Sequence, residues 1–240
     1  MSAGTVLVAA PMRSELRPVV RALSARRAVV GGLDVHRGRA GGRQVVAALI
    51  GVGPEAARRA TERLLDAMTR SDMAVSHVVV SGIAGGIGPG ISVGDTVVPD
   101  SVVDLRSGRE FRAAPPPGAT PAGRIATVDE LILDEARLAA LVDRRFVALD
   151  METAAVAEVC EAHGCPWSAF RVISDRPQDG LLSDDVMDML RPDGSVDAWA
   201  ALRTIVARPR RLPALVRLGR DAGSAASKAA RAAVEAAGAL

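Results

Sequence analysis

His77-Val-Val-Val-Ser-Gly-Ile-Ala-Gly-Gly86 opens on a continuous apolar run and ends in glycines. The run His77–Ser81 reads as a buried strand, too short for a helix and bounded by a turn signal. Gly82, Gly85 and Gly86 let a backbone approach a ligand closely and offer N–H donors to an anionic or polar group. A tight turn would use the same glycines. The stretch is not a dinucleotide fingerprint, because Val93-Gly-Asp-Thr-Val97 continues it as another strand rather than a helix. No charged residue occurs from Met73 to Gly94, yet Gly88, Gly90, Gly94 and Pro89 argue for a strand running into a loop, not a membrane span.

Outward from this stretch, strand-like and helix-like patterns alternate. Thr5–Ala10 (TVLVAA) is an apolar run, and Met12, Leu16, Val19, Val20 and Leu23 then fall on one helical face. Arg43–Ile50 reads as a strand that leads through Gly51-Val-Gly-Pro54 into a helix over Glu55–Thr69. Further strands are expected at Thr96–Pro99, Arg124–Val128, Phe146–Leu149 and Ser168–Ile173, with a helix over Met151–His163. Ala113–Gly123 is a structureless loop on composition, Trp199–Val206 looks helical, Arg208–Arg211 breaks it, and Ala222–Leu240 is an Ala-rich helix. Strand and helix in alternation predict an α/β protein with helices on both faces of the sheet.

Composition narrows the function classes. The chain has 240 residues, 49% of them hydrophobic and 24% charged, which excludes global disorder and a rod. Only 2% are aromatic, so the core must be aliphatic. The net charge of +2 is too small and too spread to argue for nucleic acid, although Lys228 is the single lysine among 30 basic residues. Cys160 and Cys165 make no disulfide framework, and His36, His77 and His163 are scattered, so neither a metal nor a cofactor is expected. A reducing cytoplasm is the expected location. The apolar run near Met1 lacks a basic flank and is too short for a signal peptide.

Open α/β sheets bind ligands beyond the carboxyl ends of their strands. Four polar or glycine-rich segments stand at such ends: Pro11–Glu15, Gly82–Gly86, Met151-Glu152 and Ser174-Asp175. Glu15 in a first helical turn is favoured by the helix dipole whether it is solvated or functional. Glu152 opens an apolar helix directly after a buried run. Asp175 fits a cap and fits equally a carboxyl whose acidity is tuned by burial.

Together these segments resemble the purine/uridine phosphorylase superfamily, and within it the methylthioadenosine/S-adenosylhomocysteine nucleosidase branch. Gly82-Ile-Ala-Gly-Gly-Ile87 with Val93–Pro99 is similar to the family's ribose-binding glycine loop and the strand after it. Leu149-Asp-Met-Glu-Thr-Ala-Ala155 is similar to its Met-Glu ribose clamp, and Arg171-Val-Ile-Ser-Asp175 to its catalytic Ser-Asp. The resemblance implies a single domain with a central mixed, partly barrel-like sheet. It also implies catalytic roles for Glu15, which activates the attacking water, and Asp175, the general acid at the purine. Substrate-binding roles are implied for Met151, Glu152, Ser174, Gly85, Ile83, Ile132 and Arg171. A homodimer is implied too, with Glu55–Thr69 and Met151–His163 as apolar helices for its interface.

Departures shape the expected chemistry. Ile83 stands where the family usually has Ser or Thr, and Leu131 where the nucleosidase branch has a base-stacking aromatic. Phosphorylases of the superfamily hold phosphate with residues that Val80 and Ile83 replace here. Arg13 alone matches their other phosphate arginine, and Glu15 beside it would repel an anion, so hydrolysis with water is expected over phosphorolysis. A nucleoside-binding protein without catalysis would share the fold, but has no use for the set Glu15, Glu152 and Asp175.

The catalytic domain is expected over residues 1–207, with 208–240 as a C-terminal extension that the short nucleosidases lack. Around its start, from Arg203 to Arg220, Arg203, Arg208, Arg210, Arg211, Arg217 and Arg220 occur without an acid between them. With Leu190–Val196 this segment resembles the tail of hopanoid-associated members of the superfamily, which release adenine from an adenosyl-lipid. Two readings stand: a packing helix with a solvated Arg face, or peripheral contact with an anionic membrane surface.

Overall fold

The computed structural model describes residues 4–177 and 212–240, with the side chains of 212–215 excepted. Strand β1 (Thr5–Ala10) is buried along its whole length and leads into α1 (Arg13–Ala22). A hairpin of β2 (Arg26–Val30) and β3 (Leu33–Ala40) follows, then β4 (Arg43–Leu49) and α2 (Pro54–Arg70). The long β5 spans Val75–Gly86, and β6 (Thr96–Val97), β7 (Ser101–Asp104), β8 (Glu110–Arg112) and β9 (Arg124–Thr127) come next. After α3 (Glu135–Asp143), β10 (Phe146–Asp150) and α4 (Thr153–Ala162), the buried β11 (Trp167–Asp175) completes the sheet. The last described element is α5 (Leu212–Ala239).

The sheet is mixed and forked. Its path runs β2-β3-β4-β1-β5-β10-β9-β7-β8, and β11 branches from β5 to carry β6. β5 pairs in parallel with β1 over Val75–Val80 and with β11 from Val78 to Gly85, and antiparallel with β10 through Gly85 and Gly86. Side chains alternate across this sheet, as a strand period of two requires. Leu7, Ala9, Val78, Val80 and Ala169 lie with Leu64, Met68 and Val156 in the core beneath α2 and α4. Val6, Val8, Val79 and Phe170 lie on the other face with Leu16 and Val19 of α1 and Ala230, Ala233 and Ala237 of α5.

The structure extends the sequence reading at one decisive place. A strand ending at Ser81 followed by a loop is expected from the glycines, yet β5 continues to Gly86. Gly82–Gly85 pair with Arg171–Asp175 of β11, so the glycines lie within the ladder. Gly82 and Gly86 carry no positive φ; they are needed for space. A Cβ at Gly86 would stand 2.7 Å from Ile173 and 2.9 Å from Ile91.

α5 is built into this domain. Its alanines at 225, 226, 229, 230, 233, 236 and 237 are buried, and such small side chains let a helix of high intrinsic propensity sit close to a sheet. Ala225 and Ala229 pack on Val172, with Ile83 beside them. Lys228 donates to the Gly94 carbonyl at 2.6 Å. Arg43 donates to the Leu240 carbonyl, and a Cβ on Gly41 would fall 2.3 Å from the Gly238 carbonyl oxygen. Trp199–Val206 and Arg208–Arg211 lie outside the described residues. Among those described, no helix is long and apolar enough to cross a membrane.

α2 and α4, expected to offer apolar surface to a second subunit, spend it within the chain. Ala57, Leu64, Leu65 and Met68 of α2, and Ala154–Ala157 with Val159 and Cys160 of α4, are buried in the core. The large apolar side chains left exposed among the described residues are Val29, Val93 and Val216.

Candidate active site

The carboxyl ends of β1, β5, β10 and β11 bring the four sequence segments together. Glu15 sits in the first turn of α1, where its Oε2 accepts from the Met12 N–H at 2.8 Å. A solvated first-turn glutamate would stop there. Glu15 is instead 1% exposed, and its Oε1 accepts from the Ile83 N–H of β5 at 2.8 Å. A Cβ on Gly82 would lie 2.4 Å from both Glu15 Oε1 and Arg171 Nη1. Glycine is therefore required at 82 because two charged groups occupy its side-chain space. In Gly82→Ala we expect a fold that persists, about 1–3 kcal/mol less stable in urea denaturation, and a reaction rate about a hundredfold lower, because Glu15 must leave its place.

Arg171 is the hub of the site and is wholly buried. Its Nη2 lies 2.8 Å from Asp150 Oδ2 and 3.2 Å from Glu152 Oε2. Its Nε and Nη2 also donate to Thr153 Oγ1, at 3.2 and 3.0 Å. The antiparallel register that sets Leu149 against Gly85 turns the end of β10 back toward Gly82, which carries Asp150 and Glu152 to this cation. Glu152 Oε1 accepts in addition from the Gly53 N–H at 3.0 Å.

Asp175 ends β11 opposite Gly85, after a register shift that makes room for Ser174. The Ser174 hydroxyl donates to Asp175 Oδ1. A Cβ on Gly85 would stand 3.6 Å from Asp175 Oδ2, so a side chain at 85 would pack directly against that buried oxygen.

Electrostatics separates the carboxylates. Burial pushes Glu15 up from 4.5 to about 7, with Glu152 adding to the rise and Arg171 and the two N–H donors opposing it. Glu152 is likewise raised by burial, against the pull of Arg171. Burial alone would weaken the Arg171 charge, but Asp150, Glu152 and Glu15 more than offset it. A carboxylate poised near neutrality beside a second buried one suits acid–base chemistry.

Other expected contacts are placed differently. Arg171, expected to touch substrate, directs its hydrogen bonds to Thr153, Glu152 and the Ile83 carbonyl, which makes it a holder of Glu152. Ile83 presents its backbone to Glu15 and turns its side chain toward α5. Ile132 is 2% exposed, in a core cluster with Ile87, Leu138 and Leu149 against which half-buried Met151 packs. Sequence reasoning passed over Gly53, Thr127, Asp150 and Thr153. Asp150 and Thr153 flank Glu152 in the chain, and their polar character after a buried run was the available signal.

A family model described as the phosphorylase superfamily matches residues 5–123 and 112–192. The chain belongs to the phosphorylase superfamily. Among its relatives there is the 5′-methylthioadenosine/S-adenosylhomocysteine nucleosidase of Bacillus thuringiensis (strain Al Hakam), 29% identical over 176 residues, covering 61% of this chain and 74% of the relative. Its fold matches the nucleosidase of that name from Neisseria meningitidis, in complex with methylthio-immucillin-A, with a TM-score of 0.72 at 20% identity, covering 99% of this chain and 100% of the other. It also matches the futalosine hydrolase of Helicobacter pylori strain 26695, with a TM-score of 0.67 at 18% identity over 95% and 94% of the two chains.

Proposed function

We propose that this superfamily member is a nucleosidase that hydrolyses the N-glycosidic bond of a 5′-substituted adenine nucleoside. The observation that carries the reading is Glu15: a buried carboxylate, raised to about 7, aimed by two backbone donors into a cluster with Glu152 and Arg171. In this reading Glu15 takes a proton from water as its oxygen bonds to the anomeric carbon. The bond from that carbon to the purine nitrogen breaks, its electron pair goes to the base, and Asp175 supplies the base with a proton. Glu152, held by Arg171 and Gly53, binds the ribose hydroxyls and stabilises the positive charge that grows on the sugar. Met151, Gly85 and Ser174 complete the pocket.

Hydrolysis is favoured over phosphorolysis by where the donors already point. Arg171 is surrounded by carboxylates, and the Ile83 N–H that an anion would use is given to Glu15. Val80 is in the core beneath α2 and α4. A cytoplasmic location and a homodimer belong to the proposal on the strength of the family resemblance alone. The exposed start of α5, with Arg217, Arg220 and Val216, is the part of the chain that supports contact with an anionic membrane and a lipid-linked substrate.

The test is product analysis with full-length protein in phosphate-free buffer. The panel holds methylthioadenosine, S-adenosylhomocysteine and an adenosyl-lipid such as adenosylhopane in anionic vesicles. Free adenine and a free 5′-substituted ribose are expected from at least one of them. A sugar phosphate formed only on addition of phosphate overturns hydrolysis, and tight binding with no release of base favours a non-catalytic nucleoside-binding protein. Turnover confined to the vesicle sample selects the lipid substrate.

A further inference from the structure

Three carboxylates, Glu15, Asp150 and Glu152, share one buried guanidinium, and they are not held alike. Asp150 and Arg171 have fully buried side chains in contact at 2.8 Å. Asp150 Oδ1 also accepts from Thr127 Oγ1 at 2.6 Å and faces the Thr153 N–H at 3.4 Å. The Thr127 hydroxyl itself accepts from the Ala154 N–H at 3.0 Å, so its single proton goes to Asp150. The Thr153 hydroxyl accepts from Arg171, so its proton goes to Asp150 Oδ2. Each of these partners is a donor. Both oxygens of Asp150 are thus held by donors, while the residue takes no part in the proposed reaction.

We infer that Asp150 is a positioning residue for the reaction: it occupies Arg171, so that this buried cation is largely spent before it reaches Glu15 and Glu152. The guanidinium is fixed in orientation by Asp150 and Thr153, and its remaining reach holds Glu152 in place. Glu15 faces Arg171 from β11, Glu152 from the start of α4, and the N–H groups of Met12 and Ile83. Gly82 contributes no side chain, Arg13 is exposed on the first turn of α1, and Asp175 stands further along β11 at the level of Gly85. Without the negative charge of Asp150, Arg171 would act undiminished on both glutamates, and Glu15 would lose basicity. Asp150 therefore sets how strong a base the site contains.

The inference rests on the proposed role of Glu15, and the experiment separates the two. Asp150→Asn is prepared in the full chain and checked for folding by circular dichroism. The Glu15 carboxyl is titrated by carbon NMR without nucleoside, assigned by its loss in Glu15→Gln. Its midpoint is expected to fall by about one pH unit or more. The acid limb of kcat/KM for adenine release should move down with it, and kcat on the plateau should drop about tenfold as the base weakens. Asp150→Glu, which keeps the charge, should restore the wild-type midpoint. If the Asn variant does not fold, Asp150→Ser leaves room for a water and is read in the same way. An unchanged Glu15 midpoint in a folded, charge-free variant overturns the inference. A midpoint that falls while neither protein releases a base leaves the inference standing and removes the proposed function.

Discussion

Adenine release by Asp175→Asn is expected to fall about a thousandfold with little change in KM, the loss of a general acid without the loss of a pocket. Asparagine has the shape of aspartate, and its carbonyl oxygen still accepts from the Ser174 hydroxyl. The other oxygen is buried, and with glycine at 85 an amide nitrogen in its place meets no side chain from that position of β5. What the amide cannot do is deliver a proton to a departing purine. A ribosyl substrate whose leaving group is already a stable anion, such as a nitrophenolate, needs no such proton. The variant should handle that substrate within about tenfold of wild type. Equal losses on both substrates would make Asp175 a structural residue, and near-normal release of adenine would remove the acid assignment.

Glu15→Gln is expected to lower the rate about a thousandfold or more, yet to gain relative stability at high pH. The folded Glu15 titrates at about 7 against an ordinary 4.5, so between those values the folded protein binds the extra proton. Stability therefore falls as pH rises from about 4.5 to about 7 and is level beyond. The difference amounts to at most about 3 kcal/mol. Glutamine removes that dependence, at the cost of one backbone hydrogen bond worth about 1 kcal/mol, since its amide cannot accept from both Met12 and Ile83. Melting curves should cross: the variant is the less stable protein at pH 5 and the more stable at pH 8. Wild-type activity should fall below pH 7 as Glu15 takes up its proton. Parallel melting curves would mean that Glu15 is not the group that titrates there.

Two of the strands that build the site, at Thr5–Ala10 and Phe146–Leu149, were readable because each is an unbroken apolar run. The glycine segment misled because glycine serves two needs that a sequence does not separate. At Gly82 and Gly86 it supplies space within a strand and no unusual backbone angle. Glu15, Glu152 and Asp175 were legible as carboxylates at strand ends. Arg171 was expected only as a substrate contact; its joining of two of them was not legible, since its partners come from β10 and α4 and their meeting depends on the antiparallel turn of β10 along β5. The β2–β3 and β7–β8 hairpins and α3 were also missed. Their strands are short or half-exposed, as in Arg26–Val30 and Glu110–Arg112, and carry no apolar run.

α5 has a consequence for how the protein is made. Its alanines close over Val172 and Ile83, the residue whose N–H holds Glu15, and Lys228 anchors the Gly94 loop. During synthesis α5 leaves the ribosome after every described strand, so β1, β5 and β11 must wait without the alanines that share the apolar face of Val6, Val79 and Phe170 with α1. The nascent chain has no finished site until residues near 237 have emerged. A ribosome stalled after β11 would carry a chain that needs a chaperone, and one that could not yet act on the cell's nucleosides.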